Sequence, residues 1–354
     1  MSEIKIDKLY NVIIVGAGPA GISAALSLKK HGLGGVLVLE KYRFPRYKCC
    51  AGYVTQKTLS AYEKAGLNVK DCNYSLIKDF NIFYKNKNRL KIANRFLYTN
   101  EKIDRVELDY GFFKLAKSSG LEISENTTII SHDIENKRVS LSNGRTFGYN
   151  YLVFADGTAG FGSRYQKRKK CNIALQMTFE SEKEQSIDIH FGITRRGYAW
   201  VSSFNGITNV GMTDVFSGKK DYKKIFSEFL KAQNFDADTA NLKSAFTPIG
   251  IRKAVINGNV FFVGDAVGAC DPLTLSGLRY SLLTGEVCAK TIALGKLGIY
   301  KKCISNLKLK FAVTRAMQKV FYIKFVMGLT FNVLCVCFGG FVGRIFNNFF
   351  VNKK

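Results

Sequence analysis

The stretch NVIIVGAGPAGISAALSLKKHG at 11–32, followed by GVLVLEK at 35–41, constrains the fold more than any other part of the chain. An apolar run leads into Gly16-x-Gly18-x-x-Gly21, and Ile22, Ala25, Leu26 and Leu28 then recur at helical spacing. A strand without polar alternation belongs in a parallel sheet covered on both faces. Strand, glycine turn and helix in this order give the glycines distinct jobs. Gly16 permits the tight turn, Gly18 lets the backbone approach a pyrophosphate, and Gly21 lets the helix pack closely. The helix starts at Pro19 and Ala20, and the unpaired N–H groups of its first turn beyond the proline are offered to an anion. Glu40 ends the next strand 19 residues after Gly21. A carboxylate there accepts both hydroxyls of an adenosine ribose and disfavours a 2′-phosphate. Lys41, next to it, is a further candidate contact.

These residues alone leave NAD and FAD equal. Two later segments separate them: ADGTAGFGSR at 155–164 and VFFVGDAVGACDP at 260–272 each end an apolar strand on an Asp among small residues. Asp156-Gly157 and Gly264-Asp265 each read alone as a turn, but together with the first motif they favour FAD. Asp265 is placed to orient the ribityl chain or reach the pyrophosphate side, and Gly268 and Ala269 permit close passage to the flavin.

The segment FPRYKCCAGYVT at 44–55 sets adjacent Cys49 and Cys50 beside two positive charges, Arg46 and Lys48. Neighbouring cysteines make no useful loop-closing bridge, and no second pair has credible metal-ligand spacing, so no metal site is expected. A redox pair remains an alternative, because Arg46 and Lys48 favour thiolates. The nine cysteines are odd in number and scattered, which points to a reducing compartment.

The 53 basic residues against 27 acidic ones leave a formal charge of +26, which favours an anionic partner: a membrane surface, a nucleic acid or a phosphorylated ligand. The run RYQKRKK at 164–170 reads as a solvated loop. No nucleic-acid recognition motif accompanies the charge, and no nucleic-acid partner is expected.

The fold class expected is α/β: a Rossmann-like three-layer FAD-binding domain, an inserted antiparallel β-sheet substrate domain, and a C-terminal helical or apolar tail. The FAD-binding domain takes 1–74, 99–170 and 246–300; the substrate domain takes 75–98 and 171–245; the basic and apolar tail takes 301–354. Helices are expected within 101–120, at 221–234 and after Ser276, and a hairpin turn at Asn143-Gly144. The first ten residues are too polar for a signal peptide. Residues 325–342 carry no charge and lie between Lys324 and Arg344, a length at the lower edge for a bilayer span. Lying on a membrane, spanning it and packing on the fold all suit that segment. The expected location is cytoplasmic, with peripheral attachment to the cytoplasmic membrane face through the tail.

From Asn11 to about Ala293 the chain resembles geranylgeranyl reductase-type FAD flavoproteins, within the fold shared by aromatic hydroxylases and flavin halogenases. The resemblance rests on the N-terminal glycine motif, RYKCCAG, ADG and GDAVGACDPLTLSG. It implies that the segment holding Cys50, Ala51 and Gly52 lies near flavin and substrate, with Cys50 the better positional match and Cys49 packing. It also implies cofactor contacts at Arg46 and Arg105, and a flavin-ring loop through Asp271, Pro272 and Gly277 whose backbone donors end near Leu278. Tyr198-x-Trp200 resembles the family's aromatic substrate pair, although Arg195 replaces the usual proline and Ser202-Ser203 replace Phe-Pro. Cys50, Tyr198 and Trp200 are therefore the substrate-side, catalytic candidates.

The activity implied is hydride transfer from reduced flavin N5 to a double bond of an isoprenoid or other lipid-like substrate, after reduction by NAD(P)H, ferredoxin or another donor. A monooxygenase or halogenase, and a noncatalytic flavin-binding protein at a membrane, are the alternatives. No histidine is placed for general-base work.

Overall fold

The computed structural model describes residues 6–77, 79–93, 97–166, 170–235, 241–323 and 326–328. Most of the 325–342 apolar stretch, with Cys335 and Cys337, and residues 167–169 of the basic run lie outside them.

The Lys8–Val15 strand is central because its last four residues, all apolar, are buried. It pairs in parallel with Val36–Leu39 on one side and Thr146–Phe154 on the other, and Glu122–Ser124 and Val260–Phe262 extend the parallel layer at its two edges. Val255–Ile256 and the Arg138–Leu141 and Ile129–Asp133 strands complete an eight-stranded sheet in antiparallel register. The Asn143-Gly144 turn joins two of these strands, Gly144 at φ +81°.

Helix α1 (Pro19–Lys30) buries its small face against α5 (Leu278–Leu294): a Cβ on Gly285 would lie 2.2 Å from the Ala20 carbonyl oxygen. Ser23 Oγ donates to the Leu282 carbonyl across the same contact, at 2.8 Å. Between them in sequence come α2 (Gln56–Lys64), whose cap Thr55 accepts from the Thr58 N–H, α3 (Val106–Ser118), and α4 (Tyr222–Ala232), capped by Asp221. A left-handed Gly295 ends α5. The stretch read as a tail from 301 begins inside a 25-residue helix, α6 (Leu297–Phe321), which buries Tyr300, Ile304, Leu307 and Phe311.

The second layer is a seven-stranded sheet built from residues 79–93 and 171–248. Ala199, Val201, Val210 and Met212 face α4, where Phe226, Phe229 and Leu230 cover them. Side chains alternate across a strand, so Ile187, Ile189 and Trp200 face the opposite way. There Ile187 and Ile189 pack with Phe321 at the end of α6, with Tyr322 just past it and with Met327.

Candidate functional site

Gly16 and Gly21 are required by packing. A Cβ on Gly16, at φ +104°, would lie 2.6 Å from the Ala155 carbonyl oxygen, and one on Gly21 would lie 1.9 Å from that of Gly16. Gly18 differs, because a Cβ there meets only Arg46 Nη2, at 3.6 Å. Pro19 occupies the first helical position, where its missing N–H has no helical partner to lose. Glu40 is buried, and its Oε2 accepts from the Ala17 N–H at 2.9 Å while Oε1 accepts from the Tyr42 N–H at 3.0 Å. The carboxylate thus ties the glycine turn to the end of the neighbouring strand.

Two guanidiniums and two carboxylates alternate beside this turn. Arg46 Nε lies 3.6 Å from Glu40 Oε1 and Nη1 lies 3.8 Å from Asp109 Oδ2. Arg105, at the start of α3, grips Asp109 through Nε and Nη2 at 2.7–3.1 Å. Burial opposes the Arg105 charge, and Asp109 outweighs that, so its pKa is raised. Lys41 turns outward over the Tyr42 ring, at 4.5 Å.

At the carboxyl end of the Thr146–Phe154 strand, Asp156 Oδ2 accepts from the Gly162 N–H at 2.7 Å, and Gly157 turns with φ +81°. Gly264, at φ +60°, brings the 264–266 turn against Ala20. Asp265 Oδ2 lies 3.8 Å from Lys48 Nζ, which joins this turn to the cysteine segment. Gly268 packs on the Gly250 carbonyl, where a Cβ would lie at 2.2 Å. Asp271 Oδ1 accepts from the N–H groups of Leu273 and Thr274, shaping the loop through Pro272 before Gly277 caps α5 at Leu278.

These residues fit a bound dinucleotide. Gly18 leaves its approach open, and both Arg46 Nε and Asp156 Oδ1 are buried with no hydrogen-bond partner. Buried polar atoms in that state are rare unless a ligand completes them. Burial also pushes the Asp156 carboxyl up to about 6, against the Gly162 N–H. Unfolded, it titrates near about 3.9. The folded ligand-free protein therefore binds more protons in this window, and stability falls as pH rises from about 4 to about 6. Relative to Asp156→Asn, the loss expected is about 3 kcal/mol, read by denaturant unfolding at successive pH. A pH-independent difference between the two proteins would show that Oδ1 is solvated.

The cysteine segment and the second sheet meet nearby. Cys50 and Cys270 both lie within electrostatic reach of Tyr198, whose hydroxyl pKa is raised by burial. Tyr53 is within reach of Tyr198 and Cys50, and its buried hydroxyl has no partner. Trp200 is buried: its indole N–H donates to Asn209 Oδ1 at 2.9 Å and its ring covers Gly211. Phe191 touches Tyr198 and Phe321, with centroids 6.1 and 5.4 Å away. An aromatic cluster thus lies between the two layers. Cys49 is a neutral thiol, because burial, reinforced by Cys50, pushes it up to about 12 against the pull of Lys48. Gly52 packs on the Ile103 carbonyl, where a Cβ would lie at 2.3 Å.

Residues 9–197 match the FAD binding domain family, which is more than half of the chain. The chain belongs to this FAD-binding family. It is an FAD-dependent oxidoreductase, and FAD is its cofactor. Among its relatives is a menaquinone reductase of Mycobacterium tuberculosis, 23% identical over 82% of this chain and 78% of that protein. A digeranylgeranylglycerophospholipid reductase of Methanococcus vannielii is 24% identical over 81% of this chain and 79% of its own length. A geranylgeranyl bacteriochlorophyll reductase-like structure from Thermoplasma acidophilum shares the fold, with a TM-score of 0.73, 20% identity, and 89% of this chain and 88% of that one covered.

Asp109, Tyr53 and Tyr322 escape the sequence reading. Asp109 alone leaves a signal, since its i,i+4 spacing from Arg105 on one helix marks a charge pair.

Proposed function

We propose that this flavoenzyme reduces a double bond in an isoprenoid or similarly lipid-like substrate lying between the two layers. The observation that carries this reading is the inter-layer cluster of Tyr198, Phe191, Phe321 and Tyr322, beside the Cys50 segment. Such a surface suits an apolar chain, and the names of the two reductase relatives are consistent with it. The dinucleotide is assigned to the Gly16–Gly21 turn, with Glu40 at the ribose, Arg46 and Arg105 beside the pyrophosphate, and Asp156 and Asp265 toward the ribityl chain. When bound and reduced, the flavin supplies hydride equivalents.

Backbone donors of the 274–278 loop and the start of α5 favour negative charge at the ring edge. Tyr198 and Tyr53 remain protonated because burial raises both hydroxyls. They and Cys50 are the groups able to deliver a proton to the apolar cluster, while Trp200 and Asn209 fix the wall behind it.

The same reading places the protein at a membrane. On α6, Leu309, Val313, Met317, Val320 and the following Ile323 are exposed, Leu309 at 71%. Their spacing puts them on one helical face. Twelve Lys or Arg and no Asp or Glu follow Glu286. An apolar stripe with basic flanks suits the surface of an anionic bilayer. Among the described residues no helix is long and apolar enough to cross a membrane.

The test is anaerobic reduction of the FAD-loaded protein by dithionite, with NADPH and reduced ferredoxin as alternative donors. A panel of isoprenoid quinones and unsaturated prenyl lipids follows, with product mass analysis. Gain of two hydrogens per turnover is expected; oxygen incorporation when air is admitted, without any hydrogenated product, would replace the reading with a monooxygenase.

A further inference from the structure

A small pocket of about 90 Å³ opens between the start of α2, the 271–276 loop, the start of α5 and the middle of α6, lined by side chains of the loop whose backbone is assigned to the flavin ring edge. Three cations line it: Lys57, Arg279 and Lys310. None has an ion pair among the described residues, and Lys310 has only the Tyr280 ring, at 5.1 Å. Asp271, the pocket's acid, spends Oδ1 on the backbone and hydroxyl of its own loop. Thr55, Thr274 and Ser276 add hydroxyl groups to the lining.

Like charges do not converge without cost. The Lys57 pKa is lowered by burial, and Arg279 and Lys310 lower it further. The arrangement is relieved by a multiply charged oxyanion that takes a fork of guanidinium N–H groups, two ammonium groups and hydroxyl donors at once. A carboxylate brings one charge, and about 90 Å³ suits a phosphate or diphosphate group.

The geometry points to a phosphate-binding site formed by Lys57, Arg279 and Lys310, which holds the phosphate or diphosphate group of a lipid. The segment that carries Cys50 to the aromatic cluster carries Thr55 to this pocket, and the loop after Cys270 carries Thr274 and Ser276 there. What that phosphate is for rests on the reading above: the head is anchored at this pocket while the apolar chain enters between the layers. Lys310 also borders the exposed stripe of α6, so the phosphate comes either from a substrate head or from a bilayer headgroup.

The FAD-loaded full chain is titrated with inorganic pyrophosphate by calorimetry. The comparison is with R279Q, with K57Q/R279Q/K310Q, and with K219Q/K223Q/K224Q, which removes equal charge near α4. R279Q is expected to bind about tenfold more weakly and the first triple variant about a hundredfold or more, with the control triple unchanged. Arg279 is exposed, so R279Q does not endanger the fold. Wild-type protein that binds no pyrophosphate, a first triple variant that binds as wild type, or an equal loss in both triples would overturn the site.

Vesicles of phosphatidylglycerol then separate the sources. Vesicle binding lost in the first triple and competed by pyrophosphate assigns the phosphate to a headgroup of the bilayer. Vesicle binding retained while pyrophosphate binding is lost assigns it to a phosphorylated substrate. Binding needs no turnover, so inactivity of the wild type toward every prenyl lipid would sink the reductase reading and leave this site standing.

Discussion

Gly18→Leu is expected to fold and to lose FAD. Gly18 has φ −73° and ψ 179°, an extended conformation open to any residue, so leucine strains no backbone. Its Cβ meets only the Arg46 guanidinium, and the remaining branch extends along the open approach to the helix start. Overpacking of this kind costs about 3 kcal/mol, which lowers cofactor affinity by about a hundredfold or more. The flavin-to-protein absorbance ratio after desalting measures it, with circular dichroism confirming the fold. Full flavin occupancy in the variant would remove the pyrophosphate from this turn.

The contrast with Gly16 and Gly21 shows what was legible in the chain and why. All three glycines sit at offsets imposed by a strand, a tight turn and an anion, so local order carries them. Glu40 is legible for the same reason, because one strand and one helix set its distance from the turn. The Tyr198-x-Trp200 spacing is that of one face of a strand, yet this alternation does not say which face meets the flavin layer. That is decided by α4 covering Ala199 and Val201, which leaves Trp200 and Ile189 to the other side.

The end of α6 was the hardest to foresee. Its buried residues recur at helical spacing, but basic residues and exposed apolar ones interleave with them, so a helix with two apolar faces reads as a mixed tail. Tyr53 and Tyr322 lie 269 positions apart and join one cluster through tertiary packing alone. The cations at 57, 279 and 310 are likewise unremarkable among 53 basic residues until the fold brings them to one pocket.

The buried charges beside the glycine turn carry the other large effect. Asp109 is 4% exposed and Arg105 6%, and the pair is bidentate. Asp109→Ala leaves the Arg105 guanidinium buried without its countercharge, and this is expected to destabilise the ligand-free protein by about 3–5 kcal/mol. It also removes one of the two carboxylates near Arg46, so the cation beside Gly18 loses its orientation and FAD affinity falls as well. Replacing both members, as in R105M/D109L, removes the unpaired charge together with the pair, and an apolar substitute of similar volume is often neutral. The double variant is therefore expected to recover most of the lost stability while still binding FAD weakly. Denaturant midpoints and flavin titration on wild type, R105M, D109L and R105M/D109L, beside D109A, separate the two roles. A D109A protein as stable as wild type would mean that water reaches Arg105. Wild-type FAD affinity in the double variant would confine both residues to the scaffold, leaving Arg46 as the guanidinium that meets the cofactor.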